Sequence, residues 1–139
     1  MRCSSAAAAG RPTYALERAP SFGTPLEERK PSATVQVGYF HLRPGTEARF
    51  RRALEAAHAA LARLPGAPAH TWYRLVAGGD QPQYLLMVAR ADWASYDRFD
   101  RDVPALLAGD ADALAAFAAA VAAVETESWR YRADLSNLP

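Results

Sequence analysis

Histidine and arginine side chains on strand-like runs are the residues of this chain best suited to acid–base chemistry. His41 lies near the end of one such run, and His70 and Arg74 lie in another. A histidine can accept a proton near neutral pH, and an arginine can stabilise the oxyanion that proton loss leaves. We therefore predict His41 and Arg74 as the catalytic pair, with His41 as the base. The structural alternative, in which both histidines make ordinary hydrogen bonds at strand ends, stays open.

Two further polar residues complete this prediction. A charge in mid-strand needs a partner when it is buried, and Glu127 in the last strand-like run is the acid that we pair with Arg74. His58 is expected on the solvated flank of a helix, at the boundary of its apolar stripe. No set of His, Asp or Glu has metal-ligand spacing on one element, and Cys3 is the only cysteine. Neither a metal nor another cofactor is therefore expected.

Aromatic residues in the strand-like runs form the second candidate feature. Tyr39, Trp72 and Trp129 are predicted as substrate-binding residues, the apolar walls of a pocket for a flat organic ligand. Strand alternation places Tyr39 with His41, and Trp72 with Arg74. The alternative is that these rings fill the core or a dimer interface, as aromatic side chains often do. Alternation alone does not say whether they face the helices or a partner subunit.

The composition excludes several classes of partner. The formal net charge is +1, with 16 Lys and Arg against 15 Asp and Glu, so no nucleic-acid partner is expected. No apolar run approaches the ~18 residues that cross a bilayer, so no membrane association is expected. Residues 6–9 are too few and too weakly apolar for the core of a signal peptide. The expected location is the cytoplasm, with a secreted form left open should the true start lie upstream.

The order of the predicted elements is β-α-β-β-α-β. A helix is expected over 47–64 with Thr46 as its N-cap, because its apolar residues recur at helical spacing. A second helix is expected after Asp92, broken by Pro104 and Gly109 and continuing to residue 124. The predicted strands are Thr34–Leu42, His70–Ala77, Gln83–Arg90 and 125–133. This order predicts an α+β, ferredoxin-like fold, a four-stranded antiparallel sheet with helices on one face.

The first 33 residues differ in composition from the rest. Four prolines fall among them, and neither a helical nor a strand period is visible. We predict a disordered or extended N-terminal tail over 1–33 and a single domain over 34–139. Deleting residues 1–32 is accordingly expected to change stability by less than ~1 kcal/mol.

Several short motifs resemble those of the dimeric α/β-barrel superfamily, which includes antibiotic-biosynthesis monooxygenase-like and NIPSNAP-like domains. The motifs are VGYFHLRPG over 37–45, Gly78-Gly79, ADWASYDRF over 91–99 and WRYRADLS over 129–136. The resemblance implies two identical subunits whose sheets pack into a barrel, with a small pocket in each. The chain departs from the haem-degrading members, since its only asparagine is Asn137. We therefore carry over no catalytic residue from them.

Two functions remain open at this stage. The first is a homodimeric domain that binds a small aromatic molecule in an aromatic-lined pocket. The alternative is a cofactor-independent monooxygenase or isomerase acting on a planar phenolic or polyketide-like substrate. A homodimer is expected in either case, because both faces of the predicted sheet are apolar and helices cover only one. A cavity on which His41 or His70 and Arg74 converge would favour the enzyme.

Overall fold

A computed structural model describes residues 11–25, 28, 33–63, 65, 69–90 and 110–130. Its elements, in chain order, are β1 (Thr13–Phe22), β2 (Thr34–Leu42), α1 (Glu47–Ala62), β3 (His70–Ala77), β4 (Gln83–Arg90), α2 (Ala111–Ala120) and β5 (Val121–Arg130). The described strands form one sheet in the order β1-β3-β4-β2-β5, and all neighbours are antiparallel. The α+β, ferredoxin-like prediction is confirmed, with five strands where the sequence predicted four.

The additional strand is β1, which lies inside the segment predicted as a tail. It pairs with β3 at one edge of the sheet, with Tyr14 opposite Leu75 and Glu17 opposite Trp72. The register shifts between Glu17 and Phe22, and Pro20 lies within that irregular stretch. Proline lacks an N–H group and is tolerated in edge strands and at bulges. The prediction that no strand precedes Thr34 is therefore wrong for Thr13–Phe22.

Three strands and the first helix follow the sequence pattern closely. The strands β2, β3 and β4 have the predicted bounds, and α1 begins at the predicted residue and ends at Ala62. Thr46 does not cap α1 with its side chain, because its hydroxyl donates to the carbonyl oxygen of Arg43 at 2.6 Å. The hairpin between β3 and β4 contains Gly78 at φ +82°, a conformation that favours glycine.

The helix α2 is shorter than predicted. Asp110 accepts a hydrogen bond from the backbone N–H of Ala113 at 2.9 Å, which fixes the start of the helix. Arg43 Nη1 donates to the carbonyl oxygens of Ala119 at 2.9 Å and Val121 at 2.7 Å, where the helix ends. The chain then becomes extended, so residues 121–124 belong to β5. The first part of the predicted second helix, over 92–109, lies outside the described residues.

The core lies between the sheet and the two described helices. Phe50 of α1 is fully buried at its centre, with ring centroids of Trp72 at 5.9 Å, Tyr84 at 4.9 Å and Phe117 at 5.5 Å. Leu42, Leu54 and Ala120 complete the buried cluster. This packing decides which side of each strand faces the helices.

Candidate functional site

One face of the sheet packs against α1 and α2, and we call it the helix side. We call the other face the open face. The strand register shows on which of the two faces each predicted site residue lies. Phe40 of β2 packs against the core, and it lies opposite Tyr84 of β4. Tyr84 in turn lies opposite Arg74 of β3, so Arg74 and Trp72 are on the helix side. Since neighbouring residues of a strand point to opposite faces, Tyr39 and His41 are on the open face. Neither described helix packs on that face.

The five predicted site residues therefore do not line one cavity. Trp129 of β5 lies opposite Val35 of β2, which places it on the open face with Tyr39 and His41. Trp72 and Arg74 lie on the other side of the sheet. The sequence prediction combined residues by their alternation within each strand, and alternation does not fix how one strand is phased against the next. The prediction of a single cavity with His41 and Arg74 as its polar wall is wrong.

Glu127 of β5 connects Tyr39 and Trp129, two of the predicted site residues on the open face. Tyr39 Oη donates to Glu127 Oε2 at 3.4 Å, and Trp129 Nε1 donates to the same oxygen at 2.7 Å. Burial, and then the negative charge of Glu127, raise the pKa of Tyr39 above its usual value. His41 Nε2 lies 3.8 Å from Glu125 Oε1, beyond hydrogen-bonding distance. Glu127 thus binds the side chains of Tyr39 and Trp129, and the prediction that it pairs with Arg74 is wrong.

Arg74 instead forms an ion pair with β1. Its Nε donates to Glu17 Oε1 at 3.0 Å, and Arg51 Nη2 of α1 donates to Glu17 Oε2 at 3.0 Å. Beside this group, Tyr84 Oη donates to Glu47 at 3.2 Å, and burial together with that carboxylate raises the pKa of Tyr84. Glu17 of β1 thus bridges an arginine of α1 and an arginine of β3, which indicates a structural role in holding β1 and α1 on the sheet.

A cavity of about 260 Å³ lies between the sheet and the helices, on the helix side. Its walls are mostly apolar and combine aliphatic with aromatic side chains. They include Phe40, Trp72 and Leu86 from the sheet and Leu54, Leu61 and Phe117 from the helices. Of the predicted site residues, only Trp72 lines this cavity. We call it the helix-side pocket.

The polar groups of the helix-side pocket are two histidines that the prediction ranked below the pair of His41 and Arg74. His58 of α1 and His70 of β3 both line it, and Phe22 of β1 packs against both rings. Within the described part of the chain, no hydrogen-bond partner lies near the buried Nδ1 of His58. His58 is half-buried at the boundary of the apolar stripe, as predicted, and it lines the pocket where a solvated flank was expected.

The sequence did carry a signal for the position of His58. It follows the buried residues Phe50 and Leu54 at successive four-residue steps, which places all three on one face of α1. This position is hard to recognise from the sequence because histidine is polar, whereas the apolar face of a helix is identified by its aliphatic and aromatic residues.

Comparison with solved structures identifies the fold. The cofactor-independent oxygenase SnoaB from Streptomyces nogalater superposes with a TM-score of 0.53 and 22% sequence identity, over 73% of this chain and 95% of that one. A NIPSNAP-like domain protein from Burkholderia xenovorans gives a TM-score of 0.53 at 16% identity, over 76% of this chain and 90% of the other. A dabb family protein with a ferredoxin-like fold from Mesorhizobium loti gives 0.51 at 16% identity, over 71% and 97%. The chain shares their ferredoxin-like fold.

These likenesses show the ferredoxin-like fold that the order of the sequence elements predicted. No family model and no curated protein sequence matches the chain. Among the described residues, no group of three His, Cys, Asp or Glu side chains is placed to hold a metal ion. None of the helices in the described segments is long and apolar enough to cross a membrane.

Proposed function

We propose that this protein binds a small, flat, apolar molecule in the helix-side pocket and acts as a homodimer. The observation that carries the proposal is the pocket itself, whose aromatic walls come from both layers of the fold. A dry apolar cavity of about 150 Å³ is enough to bind benzene, so about 260 Å³ has room for a two-ring molecule. Aromatic walls with few polar groups are typical of ligand sites.

Filling the pocket is expected to abolish binding. Ala57 of α1 lines the cavity, whereas Ala59 lies on the exposed side of the same helix. Ala57→Phe should weaken binding of naphthalene at least tenfold, because the new ring occupies the ligand's space. Ala59→Phe, the matched control, should leave the dissociation constant unchanged. Both constants are measured by titration in NMR spectra of the labelled protein, with melting curves to establish that each variant is folded.

Two outcomes would contradict the proposed pocket function. One is a wild-type protein that does not bind naphthalene in the titration. The other is an Ala57→Phe variant that is folded and binds as tightly as the wild type.

The alternative of a cofactor-independent oxygenase is supported by the fold shared with SnoaB, together with two histidines in the pocket wall. A histidine there could take a proton from a phenol. We place this function second because His41 and Arg74, the predicted catalytic pair, do not line the pocket. The test is to mix the protein with 2-naphthol and to measure oxygen consumption with an electrode. Consumption that depends on the protein would favour the oxygenase over simple ligand binding.

The homodimer is proposed from the open face of the sheet. Trp129 is 44% exposed there, and both described helices pack on the other side of the sheet. Stable interfaces usually bury more than ~1,000 Å², an area that a sheet of this size can supply. Sedimentation equilibrium at micromolar concentration is expected to give about twice the chain mass of 15.1 kDa. Trp129→Arg should shift the mass towards that of the monomer, whereas Ala59→Arg on the exposed side of α1 should not.

A mass of 15.1 kDa for the wild-type protein at that concentration would contradict the homodimer. An unchanged dimer in the Trp129→Arg variant would show that the open face is not the interface.

A further inference from the structure

The last part of β1 is irregular and contributes to the wall of the helix-side pocket. Glu17 pairs with Trp72 of β3, and the next residue of β1 that pairs is Phe22, opposite His70. Between these two pairs β1 contains residues 18–21, whereas β3 contains a single residue. The extra residues of β1 therefore leave the line of the strand, as in a β-bulge. We call residues 18–21 the β1 bulge.

The hydroxyl group of Ser21 closes the β1 bulge. Ser21 Oγ donates to the carbonyl oxygen of Glu17 at 2.6 Å and accepts the backbone N–H of Trp72 at 2.9 Å. In a regular antiparallel pair, a backbone carbonyl oxygen of β1 would accept this N–H. Because a backbone N–H inside the fold needs a partner, the hydroxyl group takes the place of that carbonyl. Ser21 thus fixes the path of the chain through the bulge.

The β1 bulge places Pro20 inside the fold. Pro20 is buried, whereas its neighbours Arg18 and Ala19 are exposed. Pro20 lines the helix-side pocket, and it also lines a smaller cavity of about 40 Å³, as does Leu54 of α1. Since both residues line both spaces, they lie between the pocket and the smaller cavity. The helix-side pocket therefore ends at Pro20 on the side of β1.

We propose that the β1 bulge sets the size limit of the ligand, with Pro20 as the end wall of the pocket and Ser21 as the residue that positions it. This inference rests on the proposed function. A ligand that extends past the end wall must displace a buried, packed side chain, and such overpacking is unfavourable. The ligand class is therefore a compact apolar molecule of two fused rings, in preference to an extended one of three.

The test compares naphthalene with phenanthrene, which has a third fused ring and no polar group. Wild-type protein is expected to bind naphthalene at least about tenfold more tightly, although phenanthrene has more apolar surface to bury. In Pro20→Gly the end wall is removed, so this preference should fall to about unity or reverse. Both dissociation constants are measured by the change in ligand fluorescence on titration, with melting curves to establish that the variant is folded. The ratio of the two constants removes any general effect on the pocket.

Ser21→Ala tests the positioning of the end wall. Ser21 does not itself line the pocket, so its hydroxyl group can affect the ratio only through Pro20. The variant leaves the N–H of Trp72 without its acceptor, and the preference for naphthalene should fall by at least about threefold. Ser21→Thr keeps the hydroxyl group and should retain the wild-type ratio. Pro12→Gly, the matched control, removes an exposed proline before β1 and should also leave the ratio unchanged.

The outcomes separate the proposals. A folded Pro20→Gly variant with the wild-type preference would overturn the size limit, although the pocket still binds. A Ser21→Ala variant with the wild-type preference, beside a Pro20→Gly variant without it, would show that Ser21 does not position the wall. Wild-type protein that binds phenanthrene as tightly as naphthalene would also overturn the size limit. Wild-type protein that binds neither molecule would contradict the proposed function itself.

Discussion

Phe50→Ala is expected to lower the free energy of unfolding by about 3–5 kcal/mol, the usual cost of removing a buried phenylalanine ring. Phe50 is fully buried, and its ring contacts aromatic side chains from β2, β3, β4 and α2. The substitution leaves a cavity at the point where both described helices meet the sheet. Denaturation by urea, followed by circular dichroism, gives the change in free energy.

Leu114→Ala is the control for this substitution, because Leu114 of α2 is 40% exposed and loses little burial. It should change the free energy of unfolding by less than ~1 kcal/mol. A loss of less than about 1 kcal/mol in Phe50→Ala would mean that the aromatic cluster is not the centre of the core.

Deleting residues 1–22 is expected to destabilise the protein by about 3 kcal/mol or more, because it removes the whole of β1. Three kinds of contact are lost together. The backbone pairing with β3 is lost, and Glu17 no longer forms an ion pair with Arg74. Pro20 is removed from the wall of the helix-side pocket, and Phe22 is removed from its contacts with the rings of His58 and His70. This expectation replaces the negligible effect that composition alone predicted for the tail.

The matched control is deletion of residues 1–10, which leaves β1 intact and should change the free energy by less than ~1 kcal/mol. Urea denaturation and naphthalene titration should both distinguish the two deletions, since the longer one also opens the pocket. Equal stability of the two deletion variants would show that β1 contributes nothing to the fold.

Local patterns were sufficient to predict most elements of this fold. The strand β2 is a β-branched and aromatic run that ends before Pro44-Gly45, and α1 carries an apolar stripe with helical spacing. Such patterns extend over a few residues, so they can be recognised in the sequence without knowledge of tertiary contacts. The strand β1 was missed because Glu17, Arg18 and Pro20 interrupt its apolar alternation. Its pairing with β3, which is distant in the sequence, stabilises it.

The candidate site was harder to predict, since it depends on how strands are phased and on which partner a charge finds. Arg74 was correctly expected to need an acid, but Glu17 of β1 supplies it in place of Glu127 of β5. Trp72 lines the helix-side pocket, whereas Tyr39 and Trp129 lie on the opposite face of the sheet. A shift of one residue in phase between two strands exchanges their faces, and no local pattern reports it.

The most direct test of this account is the position of bound 2-naphthol, measured by nuclear Overhauser effects between ligand and protein protons. We expect contacts to His58, Trp72 and Phe117, which line the helix-side pocket. The same spectra should show no contact to Tyr39 or Trp129 on the open face. Contacts to those two open-face residues, with none to His58 or Phe117, would contradict the account.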